Sequence, residues 1–576
     1  MADTQPNVGR LALVRAIPRR VTWLDLGVLC FLGLCAYGIT RLAGEWRAPL
    51  REAVVIDLRY RALPLYTFFS LCRGLVAFIF SFFFTLLYGY VAARVKLADR
   101  VLLPLLDILQ SIPVLGFMPG VVLAMAALFP HSNVGLELSA ILMIFTGQVW
   151  NMTFSFYHSL RAIPSELMEA ASIYRFGWWR RFARIELPYS TVGLVWNGMM
   201  SMAGGWFFLT INEAFRLGDR DFRLPGVGAY MSVAIDADNR GAMFAAVVAM
   251  VIMIVVVDQL FWRPLVAWSE KFKFEDVGGS EPATSWVLEL LRHSQLVRGV
   301  GRWTKQKVKA LRKPAVLKTP VMASAEPKTS KVFIVLAAAL GILCLWGTIK
   351  LIELLSVLDR HAWLDIATAS GLTLMRTTVA VALGSIWTIP AGIYIGTHPK
   401  ASRLLQPIVQ IAASFPAPML FPVVLALLAA VHVSLGFGSI ALMVLGTQWY
   451  ILFNVIAGAM SIPHELIEAA EIFRYKRPQR WRLLMLPGVF PALVTGWVTA
   501  AGGAWNASIV AEYVHQGSNV LRTHGLGALI STAAEKGDLP LLAAGVLAMA
   551  GLVVLVNRLF WKQLYALAER KYSLGR

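Results

Sequence analysis

The sequence predicts an all-α, polytopic membrane protein of about twelve spanning helices arranged as two related halves. Three observations carry this: apolar runs long enough to cross a bilayer, little charge inside them, and an internal repeat interrupted once by a basic polar stretch. Of 576 residues, 58% are hydrophobic and 15% charged, with a mean hydropathy of +0.65. A soluble domain is roughly 45–50% apolar and about 25% charged. The runs are apolar on all sides, whereas barrel strands alternate, so a barrel is disfavoured.

Six runs fall near 22–43, 65–93, 106–129, 137–158, 189–212 and 241–264, and six more near 332–355, 370–397, 409–431, 437–459, 488–511 and 540–563. The first is expected to be a retained helix, because no small-x-small cleavage site follows it. This divides the chain into a first half at 1–268, a basic linker at 269–331 and a second half at 332–576. The linker holds Lys305, Lys307, Lys309, Arg312, Lys313 and Lys318 among Pro and Ser, a composition suited to solvated chain.

The net charge of +20 belongs mostly to loops between runs. It therefore reports orientation, and no nucleic-acid partner is implied. Arg10, Arg15, Arg19 and Arg20 place the N-terminus on the cytoplasmic side together with the linker. Arg47, Arg51, Arg59 and Arg61 oppose this in a loop expected outside, although Glu45, Glu52 and Asp57 are interspersed. Cys30, Cys35, Cys72 and Cys344 lack paired spacing, and His158, His432 and His515 share no ligand spacing, so neither disulfides nor a metal site are expected.

The repeat is read from constant displacements. Ser-Leu-Cys-Arg ending at Arg73 matches Thr-Leu-Met-Arg ending at Arg376, and Ser111-Ile112-Pro113 matches Ser414-Phe415-Pro416, both 303 positions apart. From Ile163-Pro164 and Ile462-Pro463 onward the displacement is 299. It holds without a gap through Trp206 and Trp505, Glu213 and Glu512, and Leu260-Phe261-Trp262 and Leu559-Phe560-Trp561. Such a parallel repeat puts equivalent loops on one side of the membrane.

Within the repeat, a charged loop follows the fourth run of each half, near 161–188 and 460–487. It reads Glu169-Ala170-Ala171 to Leu187-Pro188 in one copy and Glu468-Ala469-Ala470 to Leu486-Pro487 in the other. Arginines stud both copies, as expected of cytoplasmic loops, and each proline opens the next helix, where its missing N–H is tolerated.

This pattern resembles the coupling loop of binding-protein-dependent (type I) ABC importer permeases, and the Ser/Thr-Leu-x-Arg and Ser-x-Pro segments resemble the nitrate/sulfonate/taurine branch. The resemblance spans roughly 67–263 and 370–562. It implies two six-helix permease halves in one chain, alternating access in the bacterial inner membrane, and a small anionic solute. It also implies two copies of a cytoplasmic ATPase seated on the loops, with ATP and Mg used there and no cofactor held by this chain. An extracytoplasmic substrate-binding protein is a further expected partner. Gly-x-x-x-x-Gly-Lys-Ser/Thr is absent, so the chain itself is not expected to be an enzyme. One departure stands out: the family usually has glycine where this sequence has Arg175 and Arg474, which puts the form of that turn in question.

Ionisable residues in spans are costly and therefore functional suspects. Arg73 and Arg376 at matching depth could present charge to an anion; pairing with a neighbouring helix or snorkelling is the competing expectation. Glu213 and Glu512 close the fifth runs as gate or docking residues, or else are solvated there. Trp206 and Trp505 could line a pathway or simply pack. Asp107 and Asp258 face Gln410 and Asn557 in the repeat, so any use of those carboxylates is one-sided. The main alternative, an ion-coupled secondary transporter of six plus six helices, calls for mid-span carboxylates and no duplicated loop.

Overall fold

A computed structural model describes residues 23–49, 55–95, 98–217, 220–272, 285–293, 331–516 and 519–572. Every one of the twelve expected stretches is helical. Among the described residues seven helices are long and apolar enough to cross a membrane, and an eighth is a bent pair. The count falls short of twelve partly because the third expected span of each half is broken. In the first half, α3 (Ala98–Ser111) and α4 (Val114–Leu128) are separated at Ile112-Pro113. In the second, Pro399–Ser414 and Ala417–Ala430 meet at 85° around Phe415-Pro416. Proline has no N–H to continue the ladder and biases the preceding residue to extended backbone, so Ser-x-Pro is the break itself.

In the first half α1 (Trp23–Arg47) leads to α2 (Leu63–Arg94), then α3, α4 and α5 (Val134–Arg161). The loop helices α6 (Ser165–Ile173) and α7 (Trp178–Arg181) follow, then α8 (Leu187–Glu213), α9 (Val227–Asp236) and α10 (Arg240–Val257). The second half repeats this order with α11 (Arg360–Thr397), α12 (Leu435–Met460), α13 (His464–Ile472), α14 (Arg477–Arg480), α15 (Leu486–Ala511), α16 (Leu526–Lys536) and α17 (Leu539–Val556). Helices α2, α5 and α8 pack in sequence, and α11, α12 and α15 do the same. A short antiparallel hairpin follows α8 and another follows α15.

Helix ends are set locally. The side chains of Asn239, Asp359 and Asp538 each accept a backbone N–H three residues on, a cap worth about 1 kcal/mol each. Pro188 and Pro487 open α8 and α15 directly after a π-helical turn. There the N–H of Leu187 reaches Phe182 and that of Leu486 reaches Trp481, one residue farther than in an α-helix.

The halves meet where α4 packs on α15 and α17, and where α8 and α10 pack on Pro399–Ser414. One hydrophobic core runs across this seam, joining Met199 and Trp206 to Met419 and Trp505. Of the basic segment 269–331, the cluster from Lys305 to Lys318 lies outside the described residues, as does the arginine stretch 10–20. In the discordant loop, Arg59 pairs with Asp57 at 2.6 Å.

Candidate functional site: coupling loops, buried clasps and a cavity at the seam

The two loops fold alike. In α6, Glu169 is exposed, Ala170 half-buried and Ala171 buried; Glu468, Ala469 and Ala470 repeat this in α13. Alanines let the short helix lie close to the body while the carboxylate stays in solvent. Each helix ends with a backbone N–H reaching five residues back, Phe176 to Ala171 at 2.8 Å and Tyr475 to Ala470 at 3.0 Å. This ending needs a left-handed residue, usually glycine. Arg175 and Arg474 supply it, at φ 50° and 51°. Arginine thus takes the conformation that glycine favours, at a cost of about 1–2 kcal/mol for a left-handed side-chain residue.

Just before that turn each loop presents an apolar pair to solvent. Ile173 and Tyr174 are 77% and 76% exposed, and Ile472 and Phe473 are 78% and 72% exposed. Large side chains so exposed at equivalent places are the mark of a surface meant to be covered. The loops then diverge. Trp178 donates from Nε1 to Tyr90 Oη at 2.6 Å in the first, whereas Arg477-Pro478 occupies the matching place in the second. Glu186 is buried between Arg94 and Arg181 at 3.0 and 3.3 Å, and Met485 is its equivalent.

At the far end of the spans the repeat builds a buried ionic clasp in each half. Arg73 donates from Nη1 to Glu213 at 2.7 Å and to the carbonyl of Pro225 at 2.8 Å. Ser70 donates to the same carboxylate at 2.7 Å, and the N–H of Gly228 at 2.9 Å. In the second half Arg376 donates to Glu512 at 2.9 Å and to the carbonyl of His524 at 2.7 Å. Thr373 and the N–H of Gly527 complete it. Gly226 and Gly525 admit the carboxylates: a Cβ on either would stand 2.3 Å from them.

The expectation that these arginines present charge to an anion is corrected. Each guanidinium is buried and bonded inside its own half, so it neither snorkels nor stands unpaired. Glu213 and Glu512 are likewise buried, and neither is solvated. Trp206 and Trp505 are buried packing residues, Trp206 closing over Gly74. Asp258 pairs with Arg263 at 3.2 Å.

Sequence reasoning missed Glu137, which grips Arg73 through both oxygens at 2.6 and 2.7 Å. A lone carboxylate in an apolar span was the available signal, since it demands a partner. It also missed a cavity of about 60 Å³ between the halves, where Phe207 of α8 faces Phe415, Trp449, Tyr450, Phe453 and Asn506.

The comparisons agree with this architecture. The profile of the binding-protein-dependent transport system inner membrane component matches residues 85–261 and again 388–573, together more than half of the chain. The chain belongs to this family. It is 26% identical over 203 residues to the taurine transport system permease protein of Escherichia coli strain K12, covering 35% of this chain and 68% of that one. It is 28% identical over 145 residues to the bicarbonate transport system permease protein of Synechocystis sp. PCC 6803, covering 25% and 50%. The nitrate import permease protein of Leptolyngbya laminosa is 26% identical over 148 residues, covering 26% and 52%. The chain thus spans about two thirds of the first relative and about half of the other two. As a multi-pass permease of this family carrying two copies of its domain, it is not an ion-coupled secondary transporter.

Proposed function

We propose that this chain supplies both halves of the pore of an ATP-driven importer of a small anionic solute in the bacterial inner membrane. The observation that carries the reading is the pair of matched coupling loops, each with an exposed apolar pair beside an exposed glutamate. One ATPase subunit seats on each loop, and ATP and Mg are used there and not by this chain. Covering two large apolar side chains contributes about 1.5–3 kcal/mol each, enough to fix an ATPase while it opens and closes. The N-terminus, the linker and the loops are cytoplasmic, and the clasps lie toward the outer face, where a substrate-binding protein delivers solute. The anion is supported by the names of the relatives, which transport taurine, bicarbonate and nitrate.

The test is reconstitution with the cognate ATPase. Tyr174→Asp together with Phe473→Asp should abolish co-purification of the ATPase while the chain remains inserted and monodisperse. Undiminished ATPase binding would overturn the reading.

A further inference from the structure

The two coupling loops share a shape but are fastened to the body differently. In the first half Leu86 and Tyr90 of α2 share an apolar core with Leu167 and Phe182 of the loop, as Ile389 and Ile393 of α11 do with Ile467 and Trp481 in the second. The first half adds a polar tie. Tyr90 Oη accepts from Trp178 Nε1 at 2.6 Å and from Arg181 Nη2 at 3.3 Å. Glu186 is fully buried and pairs through one oxygen with Arg94 at 3.0 Å and with Arg181 at 3.3 Å. Burying a carboxylate is costly unless cations meet it, so Glu186 holds together one arginine of α2 and one of the loop.

The second half lacks this tie. At the displacements of the repeat, Tyr90 and Arg94 become Ile393 and Thr397, and Trp178 and Glu186 become Arg477 and Met485. Arg480, the counterpart of Arg181, turns to Glu471 of its own loop at 3.3 Å, and Thr397 donates to the carbonyl of Ile393 in its own helix at 2.7 Å. The helices differ as well. From Arg73 of the outer clasp to Arg94 of the tie, α2 runs without a proline, a length of about 31 Å at the rise of an α-helix. By contrast α11 carries Pro390 between Arg376 and Thr397, which removes a ladder hydrogen bond and gives the helix a place to bend.

We propose that Glu186 is a positioning residue for coupled transport: with Arg94, Arg181 and Tyr90 it fastens the first coupling loop to α2, and α2 carries the ATPase's movement to the outer clasp as a stiff strut. The second half, untied and hinged at Pro390, follows its loop less directly, so the two halves respond unequally to one nucleotide cycle. This rests on the reading of the loops as ATPase seats.

The experiment places a bimane label at the outer end of each helix, on Arg61→Cys or on its equivalent Leu364→Cys, both exposed positions, with the four native cysteines replaced by alanine. Each labelled chain is reconstituted with its ATPase, and the emission change on adding ATP and vanadate is read. Glu186→Met, which copies the second half, should shrink the change at 61 at least fivefold and leave that at 364 within twofold. Exchanging the charges, Arg94→Glu with Glu186→Arg, should restore at least half of the change at 61, which a purely space-filling role of Glu186 would not give. Tyr90→Phe, which keeps the ring and removes the acceptor, should halve the change at 61 or better even if the other variants fail to fold. No response at 61 in the otherwise unaltered chain, or a response that neither Glu186→Met nor Tyr90→Phe lowers, overturns the strut. Equal losses at 61 and 364 overturn the inequality of the halves, and a folded charge exchange that restores nothing overturns the ionic tie. Failure of the unaltered chain to bind its ATPase would instead remove the reading of the loops as seats.

Discussion

Arg73 and Glu137 are joined by a bidentate ion pair at 2.6 and 2.7 Å, fully enclosed in the first half. At the corresponding place in the second half the same nitrogen of the other arginine, Arg376 Nε, donates to the backbone carbonyl of Gly436 at 3.1 Å. One guanidinium thus serves two carboxylates and its counterpart only one. Both arginines keep the Glu of the fifth span.

This ranks three substitutions. Removing one partner of a buried pair typically costs about 3–5 kcal/mol, because the other charge is left uncompensated. Arg73→Gln strands two carboxylates and should be the most damaging. Glu213→Gln should follow, since that carboxylate also holds Ser70 and the start of α9. Glu137→Gln leaves Arg73 in the arrangement Arg376 already tolerates, and should cost less than about 2 kcal/mol. Thermal unfolding of the purified variants in one detergent gives the order; Glu137→Gln proving worst would contradict it.

The left-handed arginines make a second test. Arg175→Gly and Arg474→Gly relieve the backbone and should hold or slightly raise the melting temperature. Arg175→Val and Arg474→Val should lower stability by about 1–2 kcal/mol, as β-branched residues resist positive φ. Valine variants as stable as the wild type would mean the turn is not left-handed.

Glu169→Lys combined with Glu468→Lys reverses charge on both coupling helices without touching buried surface. The chain should insert and melt normally, while solute-dependent ATP hydrolysis by the assembled transporter falls by an order of magnitude or more. Unchanged coupling would show that the two glutamates have no part in it.

Purified without partners, the chain should release no phosphate from ATP above the detergent blank. Turnover by the isolated chain would overturn the reading that hydrolysis belongs to a separate subunit.

Much of this was legible in the sequence because the repeat is written in constant displacements. Glu-Ala-Ala and Leu-Pro recur at matched distance, and both loops fold as the repeat demands. The twelve helical stretches follow from apolar length alone. What stayed hidden depends on contacts across the fold. The partners of Arg73 lie 64 and 140 residues away, and nothing in helical periodicity joins them. The stretch around Ser111-Ile112-Pro113 is apolar on average despite Asp107 and Gln110, so the broken third span read as one helix.

The exposed arginine at the end of each coupling helix has a consequence for how this transporter lives among its kin. Where a glycine turn shows only backbone, Arg175 and Arg474 show a cation, and they do so twice per molecule. A groove floored with basic residues would be repelled at both seats at once, and one lined with carboxylates would be held at both. Duplication squares the discrimination: a tenfold preference at one loop becomes about a hundredfold for the pair, or about 2.7 kcal/mol. On the proposed reading of both loops as ATPase seats, the turn that costs the fold a little strain would favour an acidic seat over a basic one.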